Sequence, residues 1–150
     1  MKCLFCDFVS GKRKNHSTGQ LFEAVNETKN TICFMAIDIP ATEDGHLLVI
    51  PKKHFQYIED LPKHILHESI EHVCFLSKTL RKTHQGCNIL INDGKGAGQK
   101  IPHAHFHIIP RNRGDKIKIE SWKRKKLTKS EFLKLNEKIK TVLLKNKKVK

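Results

Sequence analysis

Histidines alternate with apolar residues along positions 103 to 109, which read His-Ala-His-Phe-His-Ile-Ile. Residues i, i+2 and i+4 of a β-strand point to the same face, so the alternation predicts a strand with three imidazole rings on one face. The apolar residues between them, Ala104, Phe106 and Ile108, then point to the opposite face and predict a sheet that packs on a hydrophobic core. The histidine face offers a binding surface for an anion or a metal ion.

Periodicity and turn residues predict four more strands and three helices around this segment. The predicted strands cover residues 21–26, 31–37, 45–51, 87–92 and, with the histidines, 101–110. Apolar residues three and four apart predict a long amphipathic helix over about 62–83, with a short helical turn over 3–9 and a C-terminal helix over about 128–146 that opens on a Thr128–Glu131 capping box. Because successive strands are joined by short turns, the predicted fold class is α+β with an antiparallel sheet. The 150 residues are enough for one hydrophobic core.

Positive charge is concentrated at the carboxyl end of the chain. The formal net charge is +14, and residues 116–150 hold 14 Lys and Arg against three Glu, a net charge of +11. One interpretation is a solvated, lysine-rich tail and helix face, and the other is a surface for nucleic acid or another polyanion. Trp122 is the one aromatic residue beside the most basic cluster, residues 123–126, so a platform for stacking bases is not evident.

The number of cysteines and the hydropathy of the chain indicate its cellular compartment. Five cysteines without a secretion signal argue against a disulfide framework, and the first residues contain no long apolar stretch of the kind found in signal peptides. No segment approaches the 18 apolar residues or so that a membrane-spanning helix needs. We therefore expect a reducing cytoplasmic location and no membrane partner. Cys33, Cys74 and Cys87 occupy apolar positions and are expected to be buried thiols.

A glycine-rich loop precedes the histidines. Gly94, Gly96 and Gly98 fall within residues 93–100, and glycine allows backbone N–H groups to approach phosphate oxygens. The loop lacks the Lys-Ser or Lys-Thr pair of a P-loop, which argues against kinase-like phosphate binding. Histidine attacks phosphorus well when its second ring nitrogen is held by an acceptor, and a second, protonated imidazole can stabilise the transition state or protonate the leaving group. The combination suits chemistry on a phosphate group.

The whole block of residues 92–111 resembles the signature of the histidine-triad (HIT) family of nucleotide hydrolases and transferases. Two upstream segments agree with the family pattern, residues 34–39 with Asp38 and residues 45–54 with His46. The resemblance implies a HIT-like α+β domain over residues 3–111, followed by a basic extension over 112–150 that contains the C-terminal helix. It also implies a homodimer in which the long helix and one sheet edge are buried between subunits.

The resemblance implies an enzyme that cleaves the α-phosphate linkage of a nucleoside phosphoramidate or a dinucleoside polyphosphate. His105 would be the nucleophile and would form a nucleotidyl-histidine intermediate that water hydrolyses. His107 and His46 would contact the phosphate or the surroundings of the nucleophile. Asp38 would accept hydrogen bonds from the ribose, and the phosphate or leaving-group oxygens would be held by Asn92, Gly98 and Gln99.

Two features qualify the comparison with the family. Lys100 stands where many phosphoramidate-cleaving members have a small hydroxyl residue, so it either engages additional phosphates or points to solvent, and the leaving group stays open. The base pocket would be lined by four apolar residues that serve equally well in the core, which we favour: Leu4, Phe5, Phe8 and Ile37.

A short motif at the amino terminus, Cys3-Leu4-Phe5-Cys6, is a candidate metal site. By itself it is weak evidence for a metal. Some HIT proteins and the related galactose-1-phosphate uridylyltransferases, however, combine such a motif with two histidines to bind structural zinc. Here the resemblance implies the ligands Cys3, Cys6, His54 and His103, with His46 as a competing fourth ligand, and thiolate and imidazole both suit zinc. We expect no essential catalytic metal and no organic cofactor.

Other functions compete with the enzyme. The basic carboxyl end supports a nucleic-acid-binding protein, or an enzyme that removes adenylate from nucleic-acid ends. A purely metal-binding protein ranks last, because it leaves Asn92, Gln99 and the glycine-rich loop unexplained. His16 lies in a polar loop, and four further histidines on or near the long helix are expected to face solvent: His64, His67, His72 and His84.

Overall fold

The computed structural model describes residues 3–16, 19–36, 45–119 and 125–145. It divides into two units, residues 1–117 and 118–150. The first unit holds an α+β fold, which confirms the predicted class. Its elements are α1 Leu4–Val9, β1 Ala24–Glu27, β2 Thr31–Met35, β3 Leu47–Pro51, α2 Lys63–Leu80, β4 Gly86–Ile91 and β5 Phe106–Arg111.

One five-stranded sheet runs in the order β1-β2-β3-β5-β4, and every pair of neighbours is antiparallel. Residues alternate between its two faces, and both faces are covered. Phe34 and Leu48 pack with Phe5 and Phe8 of α1 on one face. The other face packs on α2 through a buried cluster that comprises Cys33, Val49, Val73, Leu76, Phe106 and Ile108. The alternation predicted for Phe106 and Ile108 is therefore confirmed.

The histidine strand begins later than the sequence suggests. The predicted strand over 101–110 is wrong in its first half, because β5 begins at Phe106. Pro102 has no N–H to donate to a ladder, and the His103 N–H donates to the Ile101 carbonyl at 2.8 Å, a tight three-residue turn. The Ala104 N–H then donates to the Phe55 carbonyl at 2.7 Å, in a loop rather than a strand. Only His107 of the three histidines lies within the strand.

The burial of α2 also corrects two predictions. His72, predicted to face solvent, is buried because it lies on the same helix face as Ile65, Ser69, Val73 and Leu76. Its two ring nitrogens hydrogen-bond to Thr31 Oγ1 at 2.6 Å and Asn26 Oδ1 at 2.9 Å, which compensates the burial of a polar ring. Cys74, predicted to be buried, lies off this face and is exposed.

The second unit contains α3, Lys129–Lys145. The predicted capping box is present: the Thr128 N–H donates to the Glu131 carboxylate at 2.8 Å, and the Glu131 N–H donates to Thr128 Oγ1 at 3.2 Å. The two bonds satisfy backbone and side-chain groups that would otherwise have no helical partner. Across the described ranges, no helix is both long and apolar enough to cross a membrane.

Candidate functional site

A cavity of about 290 Å³ opens on the α1 face of the sheet. This volume is at the lower end of the range of about 300–1,000 Å³ that is typical of small-molecule sites. Part of its wall is apolar and is made by Leu4, Phe5, Phe34, Ala36, Leu48 and Ile101. The polar part of the wall contains His16, His46, Asn92, Lys100, His105 and His107. An apolar wall beside converging imidazoles suits a ligand that has a flat ring and an anionic group.

His105 is held in one tautomer by the backbone. Its Nδ1 lies 2.6 Å from the carbonyl oxygen of His103, and a carbonyl can only accept, so Nδ1 carries the proton. Nε2 is therefore left with a lone pair. His105 is 6% exposed, and burial lowers the pKa of its ring from the ordinary value. The neutral, nucleophilic form therefore predominates near neutral pH.

His46 and His107 form a pair beside this ring. His46 Nε2 lies 2.9 Å from His107 Nδ1, and the His105 and His107 ring centroids are 4.9 Å apart. His107 Nε2 is buried and has no hydrogen-bond partner among the described residues. Burial, followed by the neighbouring His105 and His46, lowers the pKa of His107 to about 4. The ring of His107 is therefore neutral near pH 7, unlike the protonated second imidazole that the sequence chemistry considered.

Not all of the predicted phosphate-binding residues line the cavity. Asn92 and Gly98 line the cavity, and Gly98 has a positive φ of 87°, which favours glycine. Gln99 is buried beneath the loop instead. Its side-chain oxygen accepts from the Gly94 N–H at 2.9 Å, and its nitrogen donates to the Gln56 carbonyl at 2.8 Å, so both ends of the amide hold the loop in shape. Asp38 and Ile37 lie outside the described residues.

A second cluster of side chains includes His103, whose ring contacts Phe5 with centroids 5.7 Å apart. The ligand atoms of Cys3, Cys6, His54 and His103 all lie within 4.8 Å of one another. Cys3 Sγ is 3.4 Å from His103 Nδ1, and Cys6 Sγ is 3.3 Å from His54 Nδ1. The competing ligand, His46, is bonded to His107 and is not part of this cluster.

The donor set fits a tetrahedral zinc ion. Zn–S bonds of about 2.3 Å and Zn–N bonds of about 2.0–2.1 Å place sulfur and nitrogen ligands about 3.6 Å apart, close to the observed separations. The Nε2 of His103 donates to the Pro51 carbonyl at 2.9 Å, which leaves Nδ1 unprotonated toward the thiols. Burial, followed by the adjacent Cys3 thiol, raises the pKa of Cys6 to about 11. A dication would supply the charge that favours the thiolates.

Sequence reasoning missed part of the cavity wall. Leu4 and Phe5 line the cavity, while Phe5 and Phe8 also belong to the buried core, so the two roles weighed for these residues coincide at Phe5. Phe34 and Leu48 lie in segments that agree with the family pattern but were not assigned to the cavity, and His16 carried no motif; their place in the wall depends on packing between distant segments. His16 is 8% exposed, although the polar composition of its loop suggested a solvated ring.

Known proteins resemble this chain over a large part of its length. A family model described as "HIT domain" matches residues 23–114. An uncharacterised HIT-like protein of Methanocaldococcus jannaschii is 36% identical over 114 residues, which cover 75% of this chain and 81% of that protein. An adenosine 5′-monophosphoramidase of Saccharomyces cerevisiae is 33% identical, covering 73% of this chain and 62% of that protein. An adenylylsulfatase of Arabidopsis thaliana is 31% identical, covering 75% of this chain and 54%, about half, of that protein.

Solved structures agree with these matches. A histidine-triad nucleotide-binding protein from Candida albicans superimposes with a TM-score of 0.74 at 29% identity, covering 96% of this chain and 99% of that one. A zinc-bound histidine-triad family protein from Mycobacterium smegmatis superimposes with a TM-score of 0.66 at 29% identity, covering 92% and 98% of the two chains.

Proposed function

This chain belongs to the HIT family, and on that premise we propose that it cleaves the α-phosphate linkage of a nucleotide through a nucleotidyl-histidine intermediate on His105. At the level of the family, the chain is a nucleotide hydrolase. The observation that carries the proposal is the hydrogen bond from His105 Nδ1 to the His103 carbonyl, since it leaves the lone pair of Nε2 for attack on phosphorus. His105 and His107 both line the cavity.

The reaction has two steps. In the first, His105 Nε2 attacks the α-phosphorus, an N–P bond forms, and the bond from phosphorus to the leaving group breaks. In the second, water attacks the same phosphorus and releases a proton, which balances the proton that the leaving group takes up; the N–P bond breaks, and a nucleoside monophosphate leaves with Nε2 restored. A transferase would replace water by another nucleophile. Dividing one displacement into two lets a neutral imidazole serve first as nucleophile and then as leaving group.

The His46–His107 pair supports the transition state in this proposal. If His46 Nε2 donates to His107 Nδ1, the buried His107 Nε2 carries a proton and can donate it to a phosphate oxygen. A bound phosphate anion would also favour protonation of the ring and raise its pKa from about 4. Asn92 and Gly98 would contact phosphate or leaving-group oxygens, with Asp38 on the ribose. We assign Gln99 to positioning of the loop.

Two leaving-group classes fit the site. The relatives named a monophosphoramidase and an adenylylsulfatase support small leaving groups. Lys100 lines the cavity and is exposed, and an ammonium there favours a leaving group that carries additional phosphates. We therefore propose nucleoside phosphoramidates and dinucleoside polyphosphates as the substrates to test.

We also propose that Cys3, Cys6, His54 and His103 bind zinc. The closeness of the ligand atoms and the zinc-bound relative from M. smegmatis support this assignment. The ion would be structural, because it would link the amino terminus to the segment that leads into β5 and takes no part in phosphoryl transfer. The free state of all five cysteines is in keeping with the proposed cytoplasmic location.

A homodimer is the assembly that we propose. The edge strand β4 exposes Ile89 and Ile91, and α2 exposes Ile70 and Phe75, so the helix and sheet edge implied by the resemblance carry uncovered apolar side chains. Light scattering on Ile89→Lys beside the wild type tests it. A wild-type dimer and a monomeric variant are expected, and a wild-type monomer would contradict the proposal.

The basic carboxyl end supports polyanion binding as a second candidate function. Residues 116–150 carry a net charge of +11, and the described residues of α3 are exposed. If this segment binds nucleic acid, affinity for duplex DNA or RNA falls steeply as salt rises. Neutralising Lys134, Lys138 and Lys140 with Gln then weakens binding and flattens its salt dependence. Equal binding by both proteins would remove the described helix from this role.

Mass spectrometry of the intact protein tests the proposed enzyme. Wild type and His105→Ala are each mixed briefly with adenosine 5′-phosphoramidate or diadenosine polyphosphate and kept at neutral or alkaline pH. An adenylate adduct on the wild type alone, with turnover lost in His105→Ala, is the expected result. Full turnover by His105→Ala would refute the role of this residue.

A further inference from the structure

The loop after α1 is folded back on itself and positions His16. Asn15 and Leu21 form an isolated antiparallel bridge, and the Phe22 N–H donates to the Lys14 carbonyl at 2.8 Å. The His16 N–H donates to the Gln20 carbonyl at 2.8 Å. Backbone bonds on both sides of His16 thus fix where its side chain leaves the loop.

Aromatic rings hold the side chain in the cavity wall. The His16 ring meets Phe8 in an edge-on contact with centroids 4.8 Å apart, and Phe8 in turn stacks on Phe22 at 4.3 Å. His16 is buried and lines the cavity that also contains His105 and His107. It is thus a polar side chain that the aromatic core presents to the ligand site.

The position of His16 relative to the nucleophile suits recognition of a base. A series of ring contacts leads from His105 to Phe5 at 5.4 Å, from Phe5 to Phe34 at 5.5 Å and from Phe34 to Phe8 at 6.4 Å, and His16 lies against Phe8. A nucleotide with its phosphate at His105 and its base along the apolar wall would therefore extend toward His16.

Apolar rings bind all bases in much the same way, because every base has a flat π-face. Discrimination needs a polar group that pairs with the edge of one base and is left unpaired by another. Burial, followed by the nearby Arg13, lowers the pKa of His16, so the ring is neutral near pH 7. A neutral imidazole offers one N–H donor and one acceptor nitrogen.

We propose that His16 is a base-specificity residue that hydrogen-bonds to the polar edge of the nucleobase of the bound nucleotide. The proposal rests on the proposed function, since it takes the ligand to be a nucleotide whose phosphate lies at His105. It assigns a role to a loop residue outside the histidine triad. The ligand class is a nucleoside 5′-monophosphate or a substrate that contains one.

Calorimetric titration with AMP, GMP, CMP and UMP tests the proposal on the full-length chain. His16→Phe keeps a flat ring and removes both nitrogens. Phe22→Leu is the matched control, because it disturbs the same aromatic cluster without changing a polar atom of the cavity wall. Thermal denaturation of each variant reports on folding.

The wild type is expected to bind its best monophosphate at least about tenfold more tightly than its worst, the discrimination that one hydrogen bond can provide. In His16→Phe this ratio should fall to about twofold or less, whereas Phe22→Leu should keep the wild-type ratio. The proposal is overturned by an unselective wild type, by an unchanged ratio in His16→Phe, or by an equal loss in Phe22→Leu.

Turnover of the matching nucleoside phosphoramidates separates this proposal from the proposed function. Selective binding that depends on His16, without turnover of any substrate, refutes the enzyme and leaves base recognition supported. Normal turnover by His16→Phe with unchanged selectivity refutes only the role of His16. Absence of binding by all four monophosphates refutes the specificity role as well.

Discussion

His103 and His105 are two residues apart, yet they belong to two regions with opposite chemistry. His103 lies among Cys3, Cys6 and His54 and is fully buried. His105 lines the cavity beside His107 and His46. Phe5 contacts both rings, with centroid separations of 5.7 Å from His103 and 5.4 Å from His105, so it packs against both regions.

The two histidines differ in which ring nitrogen is hydrogen-bonded to a backbone carbonyl. The Pro51 carbonyl accepts from Nε2 of His103, which turns the lone pair of Nδ1 toward the thiols. The carbonyl of His103 itself accepts from Nδ1 of His105, which turns the lone pair of Nε2 to the cavity. In the roles proposed here, the tautomer decides whether a histidine acts as a metal ligand or as a nucleophile. The two regions can therefore be separated by mutation.

The largest predicted effect is on activity alone. His105→Ala removes the proposed nucleophile, and kcat/KM for the best substrate should fall by about 10⁴-fold, the scale seen when a catalytic nucleophile is lost. Zinc content and the thermal midpoint should stay at wild-type values, and His67→Ala, at an exposed ring, serves as the control. Loss of zinc together with activity would break the separation of the two regions.

The metal region should show the converse behaviour. Cys6→Ser removes a proposed thiolate ligand, so zinc stoichiometry measured by atomic emission should fall toward zero. The free energy of unfolding should drop by roughly 4 kcal/mol if the wild-type site is about a thousandfold oversaturated with metal. The exposed Cys74→Ser should retain zinc and stability. A Cys6→Ser protein with wild-type stability and full zinc would contradict the assignment.

The pH dependence of activity should follow the protonation of His105 in the cavity. The reactive form of His105 is neutral and is lost when the ring takes up a proton. Burial lowers the pKa of this ring below its ordinary 6.5, so kcat/KM should persist at pH 6.5 and fall only at lower pH. Zinc content is measured at each pH to exclude metal loss. An acidic limb centred at pH 7 or above would contradict a buried neutral nucleophile.

The smallest predicted effect concerns the leaving group. Lys100→Ser should lower kcat/KM for diadenosine polyphosphate about fivefold, the roughly 1 kcal/mol of an exposed ion pair, and leave the phosphoramidate almost unchanged. Lys95→Ser provides the control, since Lys95 lies on the same loop and is not among the described residues that line the cavity. Equal effects of Lys100→Ser on both substrates would remove Lys100 from leaving-group selection.

The sequence predicted the α+β class and placed the apolar residues of β5 correctly, because strand periodicity depends only on neighbouring residues. It placed the start of β5 too early, because the Ala104 N–H bonds to the carbonyl of the distant Phe55 rather than to a neighbouring strand. His54 entered the metal set through the family resemblance, since spacing alone does not select one histidine among ten. His16 lacked any local signal, because its burial depends on Phe8 and Phe22.

The stereochemistry at phosphorus distinguishes the proposed nucleotidyl-histidine route from direct attack by water. The substrate carries sulfur in place of one non-bridging oxygen on its α-phosphorus and has a known configuration there. Its hydrolysis in ¹⁸O-labelled water gives a product that is chiral at phosphorus even when no intermediate accumulates. Two in-line displacements, the first by His105 Nε2 and the second by water, each invert the configuration at phosphorus. Net retention of configuration is therefore expected. Net inversion would show that water attacks the substrate directly, and it would contradict the nucleophilic role that the tautomer of His105 supports.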